Sequence, residues 1–138
     1  SHIRDLSAKL QTTDILDYGC GKCQLSKNLP FEIKEYDPAI EKFKERPQPA
    51  DIVVCTDVLE HIEPECLDDV LDDLKRVVKK VGFFTIATVP AKKTLADGRN
   101  THLIVQPYWL WLPKLWERFN ISMFNNDGHH FAVLVTCK

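Results

Sequence analysis

The sequence predicts an α/β fold in which a mainly parallel sheet carries helices on both faces and ends in an antiparallel hairpin. Short apolar runs typical of buried strands alternate with amphipathic stretches of helical period. The run Ile15–Tyr18 leads into a Gly-x-Gly turn, as the first strand of such sheets often does. Near the C-terminus, Asp127-Gly128 separates two β-rich runs, which is a strong hairpin signal.

The first half of the chain is predicted to hold two helices and three strands. They are a leading helix over residues 3–11, a strand at Ile15–Tyr18, a brief helix at Lys22–Leu29, a strand at Phe31–Asp37 and a central strand at Asp51–Cys55. Residues 38–50 are charged and interrupted by prolines, so only one or two helical turns fit there, around Ile40–Lys44.

The second half begins with the clearest helical pattern. Pro64 suits a first turn, acidic residues follow it, and an apolar face continues to Val81, with Gly82 predicted to end the helix. The remaining predicted elements are a strand at Phe83–Val89, a basic loop over residues 90–101, a helix at Pro107–Arg118 with three packed tryptophans, and hairpin strands at Ile121–Phe124 and Phe131–Cys137.

Composition narrows the class of protein. The 138 residues suit one domain, 1–138, and a net charge of -2 with no long basic run gives no reason to expect a nucleic-acid partner. No apolar run has the length of a membrane span, and the first residues lack the apolar core of a signal peptide. The five cysteines sit mostly in apolar or strand-like contexts, which predicts reduced thiols and a cytoplasmic location.

Polar signals follow three predicted strands, at the edge of the sheet where ligands bind in open parallel folds. Asp17 and the glycine turn end the first strand, Asp37 ends the second, and Thr56–Val58 leaves the third. An acidic residue after the second strand can accept both hydroxyls of a ribose. Together these positions predict one ligand site.

These residues resemble the class I S-adenosylmethionine-dependent methyltransferases. Ile15–Gly21 is similar to the first motif of that family, Tyr36–Pro38 to its acidic second-strand end, and Asp51–Ile62 to its fourth-strand motif. The long helix, the next strand and the hairpin follow the family's order, so the resemblance covers nearly the whole chain. It implies a Rossmann-like sheet and methyl transfer from S-adenosylmethionine to an unidentified acceptor.

The resemblance also implies a cofactor site. Backbone at Gly19 and Cys20 would approach the methionine part, Asp17 would orient its amino group, and Asp37 would hold the ribose. The implied cofactor-binding residues are Asp17, Tyr18, Gly19, Cys20, Gly21, Asp37, Pro38, Thr56, Asp57 and Val58.

Two departures from the family pattern leave alternatives open. Cys23 stands at the third glycine of the first motif, and the link from Asp37 to Asp51 is too short for the usual helix and third strand. We therefore expect the third strand to be missing and assign no adenine-contacting acid. A non-catalytic adenosylmethionine- or nucleotide-binding module is one alternative; an NAD-type oxidoreductase would need a glycine where Gln24 stands.

Asp57, His61 and His102 are the predicted catalytic residues. With Glu60, their spacing resembles the metal-binding set of methyltransferases that modify the 2′-hydroxyl at small-RNA 3′ ends. The alternative is that Glu60-His61 occurs in the broader family without metal and lines the pocket. We assign no metal ligands from the sequence.

Two further features have more than one interpretation. Cys20-Gly21-Lys22-Cys23 is a C-x-x-C pair, found in redox proteins, and zinc binding through it would need two more ligands. Cations in the basic loop, Lys92, Lys93 and Arg99, are expected to attract a small anionic acceptor such as a carboxylate or phosphate.

Overall fold

The structure is a computed structural model that describes residues 2–138, so Ser1 of the predicted domain lies outside the described range. The helices are α1 (His2–Leu10), α2 (Gln24–Asn28), α3 (Leu67–Val77) and α4 (Tyr108–Trp116). The strands are β1 (Ile15–Tyr18), β2 (Lys34–Tyr36), β3 (Ala50–Thr56), β4 (Val78–Ala87), β5 (Phe119–Asn126) and β6 (His130–Cys137). None of the helices within residues 2–138 has both the length and the apolar character to cross a membrane.

The strands form a single sheet in the order β2-β1-β3-β4-β6-β5. The pairs β1–β2, β1–β3 and β3–β4 are parallel, whereas β6 runs antiparallel to both β4 and β5. This confirms the predicted mainly parallel sheet with a C-terminal hairpin. The link between β2 and β3 contains only a short 3-10 turn at Glu41–Phe43. The helix and strand that the family pattern has in this link are therefore absent, as predicted, and β2 lies at the edge of the sheet.

Helices cover both faces of the sheet. On one face, Leu71 and Leu74 of α3 and Trp111 of α4 join a large buried cluster with inward-facing strand residues such as Val53. On the other face, Ile3 of α1 belongs to a smaller cluster that includes strand residues of β1 and β3. Because successive strand residues point to opposite faces, the continuous apolar run of β3 supplies both clusters.

The junction between α3 and β4 corrects one prediction. The helix was expected to reach Val81 and end at Gly82, but α3 ends at Val77 and β4 begins with the next residue. Val78 pairs with Ala50 of β3, and Gly82 lies between β3 and β6. The valines of this segment fit the period of a helix and that of a strand. Strand pairing, which suits β-branched residues, decides in favour of the strand.

The tryptophans of α4 also depart from expectation. Trp111 is buried, whereas Trp109 and Trp116 are 62% and 51% exposed, so only one of the three tryptophans that were predicted to pack lies in the core. The helix lies over the sheet with only one side, and Trp111 and Leu115 are the residues that this side buries.

Gly82→Ala should destabilise the fold, because a Cβ at this position would lie 2.9 Å from atoms of Phe84 and Val135. We expect the free energy of unfolding to fall by about 1–3 kcal/mol, the usual cost of overpacking, as measured by denaturant titration. Lys80→Ala, at an exposed position of the same strand, is the control and should change stability by less than about 0.5 kcal/mol. Equal effects of the two substitutions would contradict the packing argument.

Candidate functional site

A cleft with a volume of about 400 Å³ opens at the carboxyl ends of β1, β2 and β3. This is the edge of an open parallel sheet at which ligands bind. Six of the ten predicted cofactor-binding residues line it: Tyr18, Gly19, Asp37, Pro38, Asp57 and Val58. The other four, Asp17, Cys20, Gly21 and Thr56, lie outside its wall.

The glycine turn after β1 is held against the end of β2. The backbone N–H groups of Gly19 and Cys20 both donate to the Tyr36 carbonyl, at 2.7 and 3.0 Å. Gly19 has φ +85°, and a Cβ there would come within 2.4 Å of a Val58 methyl group. Only glycine therefore permits this close approach of the turn to the segment after β3.

Asp37 is fixed by hydrogen bonds to several backbone groups. One carboxylate oxygen accepts from the Gly21 N–H at 3.0 Å and the other from the Ala39 N–H at 3.0 Å. Its own N–H donates to the Phe43 carbonyl at 2.8 Å. Since a carboxylate offers about four lone-pair sites, both oxygens can still accept a further hydrogen bond from a ligand in the cleft.

Asp17 lies beneath this turn and is only 5% exposed. Burial, followed by the charges of Glu35 and Asp37, raises the pKa of its carboxyl to about 6. The three carboxylates give the region behind the glycine turn a negative potential, which favours a cation nearby.

An apolar wall completes the cleft, and Pro38 is its one residue that was predicted from the sequence. Pro38 and Ala39 follow β2, whereas Ile62 precedes α3 and Val70 lies on it. The apolar pattern of α3 includes Val70, but nothing in that pattern shows that this residue faces a ligand cleft instead of the core. Such a surface suits one face of a planar ring.

Two of the predicted catalytic residues, His61 and His102, lie together, and His61 lines the cleft. The rings of His61 and His102 lie edge to face with centroids 4.8 Å apart. Nδ1 of His61 is 2.9 Å from the Thr101 carbonyl, and Nδ1 of His102 is 2.7 Å from the Val89 carbonyl. Because a carbonyl only accepts, each Nδ1 carries a proton, and in the neutral imidazole Nε2 then has a free lone pair.

Glu60 joins these histidines. Its side chain is fully buried, and neither carboxylate oxygen accepts a hydrogen bond of good geometry among residues 2–138. The backbone N–H groups of Glu60 and Ala87 are near enough only to offset part of the effect of burial on its pKa. Ligand atoms of Glu60, His61 and His102 all lie within 4.8 Å of one another. Burial, with the nearby Asp57 charge, raises the pKa of the Glu60 carboxyl.

Asp57, the third predicted catalytic residue, is held apart from this cluster. It has φ +56°, and its N–H donates to the Thr85 carbonyl at 2.9 Å. One of its carboxylate oxygens accepts from the Thr85 hydroxyl at 3.3 Å. It still lines the cleft, on the side that Val58 also forms.

Arg99 of the basic loop, which was expected to attract an anionic acceptor, instead binds carboxylates of the protein. Its guanidinium binds both Glu63 oxygens at 2.9 Å and an Asp97 oxygen at 2.8 Å. These bonds fasten the loop to the segment before α3, so Arg99 is engaged within the protein. Lys92 and Lys93 remain exposed in the same loop.

Comparison with known proteins places this geometry in a fold class. No family model and no curated protein sequence matches the chain. Among solved structures, the methyltransferase domain of bacterial CtHen1-C has a TM-score of 0.69 at 13% identity, covering 99% of this chain and 95% of its own. The 1,6-didemethyltoxoflavin-N1-methyltransferase of Burkholderia thailandensis, solved with S-adenosylhomocysteine, has a TM-score of 0.65 at 14% identity, covering 97% of this chain and 75% of its own. The chain has the fold of the class I S-adenosylmethionine-dependent methyltransferases.

The fold alone leaves the reaction open. The 4+2 cyclase SpnF matches equally well, with a TM-score of 0.65 at 14% identity over 99% of this chain and 80% of its own. One fold can host unrelated chemistries, so the activity has to be argued from the residues of the cleft.

Asp17→Asn should remove a pH-dependent loss of stability. The pKa of this carboxyl is about 6 in the folded chain and 3.8 in its ordinary state, so the folded chain binds more protons between these values. The free energy of unfolding of the wild type should therefore fall by about 2–3 kcal/mol as the pH rises from about 4 to about 6 and then stay low. The asparagine variant should lack this contribution in denaturant titrations across the same range.

The control for this experiment is Asp69→Asn, on the exposed face of α3. It should keep the wild-type dependence of stability on pH. A wild type and an Asp17→Asn variant with the same profile would show that Asp17 is not a desolvated carboxylate.

Proposed function

We propose that this protein binds S-adenosylmethionine in the cleft beside the glycine turn and transfers its methyl group to an acceptor. The observation that carries the proposal is Asp37, whose two oxygens are held by the N–H groups of Gly21 and Ala39 and face a cleft at the switch edge of the sheet. A carboxylate fixed in this way can bind two adjacent ribose hydroxyls.

The rest of the cleft fits the other parts of this cofactor. The wall of Pro38, Ala39, Ile62 and Val70 offers apolar contact to an adenine ring, for which the sequence had named no partner. The turn at Gly19 lets a ligand approach the backbone closely. Asp17, Glu35 and Asp37 together favour the positive charge of the sulfonium and ammonium groups.

Little acid–base chemistry is required of the protein. S-adenosylmethionine supplies a methyl group on a sulfonium sulfur, which departs as a neutral thioether. The main task of the cleft is to hold the two reactants in line. His61 lines the cleft with a free Nε2, so it is placed to accept a proton from an acceptor hydroxyl or amine.

Calorimetry with S-adenosylmethionine and S-adenosylhomocysteine tests the proposal. We expect both to bind, and Asp37→Ala to weaken binding at least tenfold, because hydrogen bonds to a charged group contribute about 1.5–3 kcal/mol. Asp69→Ala removes an exposed carboxylate from α3 and should leave the affinity unchanged. No binding of either compound at millimolar concentration, or equal affinity of wild type and Asp37→Ala, would overturn the proposal.

The same calorimetry, extended to NADH and followed by an assay for turnover, separates the alternatives. Binding of NADH in preference to both adenosyl compounds would favour an oxidoreductase. Binding of S-adenosylmethionine without turnover of any acceptor would favour a non-catalytic module. Because Lys92 and Lys93 remain exposed, we propose that the search for an acceptor begins with small carboxylates and phosphates.

A second candidate function, metal-dependent 2′-O-methylation of a terminal ribose, is favoured by the environment of Glu60. A fully buried carboxylate with no hydrogen-bond partner is costly, and a cation is one way to satisfy it. Two imidazoles with free Nε2 atoms lie beside it. Donation of each Nδ1–H to a backbone carbonyl is the arrangement that orients metal-binding histidines.

The residues therefore fit a divalent ion. Glu60, His61 and His102 would hold it, and two imidazoles with one carboxylate suit a first-row transition metal such as Mn²⁺ or Co²⁺. A bound ion would lower the pKa of a ribose hydroxyl. In this candidate, the acceptor is a nucleic acid 3′ end with adjacent hydroxyls.

Uptake of Mn²⁺ by the apo protein, measured by calorimetry, tests this second candidate. Glu60→Gln and His102→Ala should each weaken uptake at least tenfold, because each removes a ligand, whereas His129→Ala beyond the cluster should not. Turnover should then require Mn²⁺ and a ribose terminus, and fail with a 2′-deoxy terminus. Equal Mn²⁺ uptake by wild type and Glu60→Gln would contradict the assignment.

A further inference from the structure

A second cluster of metal-ligating side chains lies at the glycine turn, on residues that do not line the cleft. The Cys23 thiol lies 2.6 Å from a Glu35 carboxylate oxygen. Ligand atoms of Cys20, Cys23 and Glu35 all lie within 4.8 Å of one another. Cys20 is buried, and the other two are half-buried.

The backbone explains why the two thiols converge. The Cys23 N–H donates to the Cys20 carbonyl at 2.8 Å, which closes a reverse turn. Cys23 has φ +61°, a left-handed conformation that glycine would adopt without strain. A cysteine at this position therefore adds a thiol to the turn although its conformation favours glycine.

Glu35 comes from the neighbouring strand. It is paired in register with Asp17, so both carboxylates project from the sheet on the same side, beneath the turn. Glu35 is therefore one of the two further ligands that the C-x-x-C pair needs for a tetrahedral site. The third ligand is distant in sequence and is supplied only by the pairing of β2 with β1.

The surrounding charges favour a cation. The carboxylates of Asp17 and Glu35 act on both thiols. Burial, ahead of these charges, raises the pKa of the Cys20 thiol to about 12. The hydrogen bond to Glu35, ahead of burial, raises the pKa of the Cys23 thiol. The thiols are accordingly protonated in the free protein. A divalent ion that displaces their protons would add positive charge where two carboxylates already lie.

We propose that Cys20, Cys23 and Glu35 form a binding site for a thiophilic divalent cation of the Zn²⁺ class. Binding exchanges the two thiol protons, which pass to solvent, for two metal–sulfur bonds, while the Glu35 carboxylate supplies an oxygen ligand. Tetrahedral ligation with metal–sulfur bonds of about 2.3 Å separates sulfur atoms by about 3.7 Å, a spacing that the 4.8 Å cluster can accommodate. The fourth position is left for water.

Titration of the full, phosphine-reduced chain with Co²⁺, followed by absorption, tests this site. Thiolate ligation produces a sulfur-to-metal charge-transfer band in the near ultraviolet, whereas a site of two histidines and one glutamate does not. The band therefore separates this site from the Glu60 cluster, and its appearance does not depend on any methyltransferase activity. Zn²⁺ should displace Co²⁺ and abolish the band.

Three variants assign the ligands. Cys23→Gly should remove the band without loss of folding, because glycine suits φ +61°. Glu35→Gln should weaken Co²⁺ binding at least tenfold. Cys66→Ser, which alters an exposed cysteine elsewhere, should keep the wild-type band and affinity.

Several results would overturn the proposal. These are a wild type without the band, a band that survives Cys23→Gly, and an unchanged affinity in Glu35→Gln. If the band depends on Cys66 instead, the thiols of the glycine turn are not the ligands.

Discussion

The carbonyl of Tyr36 joins the two chain segments that form one side of the cleft. It accepts the N–H groups of both Gly19 and Cys20, which ties the turn after β1 to the last residue of β2. The next residue, Asp37, then reaches back to the N–H of Gly21. Because these bonds join the carboxyl ends of two parallel strands, they place the glycine turn and Asp37 on the same cleft. Without this connection, neither the proposed donor site nor the cysteine cluster would exist.

The short link between β2 and β3 determines the shape of this cleft. With only a 3-10 turn in the link, β2 lies at the edge of the sheet, and the chain turns back at Phe43 to hold the N–H of Asp37. The wall that a further strand and helix would have supplied is formed instead by residues 38–39 and by the start of α3. The protein thus keeps a cleft with polar and apolar sides in a compact chain.

Two clusters of side chains that could hold a metal ion lie beside this cleft, and each combines neighbours in sequence with a distant residue. Glu60 and His61 lie together after β3, whereas His102 arrives from the loop that α4 follows, and its Nδ1 is held by the carbonyl after β4. Cys20 and Cys23 share one turn, whereas Glu35 comes from β2. In both clusters a backbone hydrogen bond or strand pair positions the distant residue, so the clusters depend on the same sheet that forms the cleft.

The sequence by itself determined most of the element types, the bounds of β1, the hairpin, the missing third strand and the place of Asp37 after the second strand. The spacing of apolar residues, the glycine turns and the length of the link after Asp37 carry that information, because each is a property of residues close together in the chain. The tertiary structure decided where α3 yields to β4, since strand pairing at Val78 outweighs the helical period. It also decided that Asp57 lies apart from Glu60 and the histidines, that Arg99 is engaged by Glu63, and that Ile62 and Val70 line the cleft. These outcomes depend on which side chains meet across the fold, and a single sequence does not record such long-range contacts.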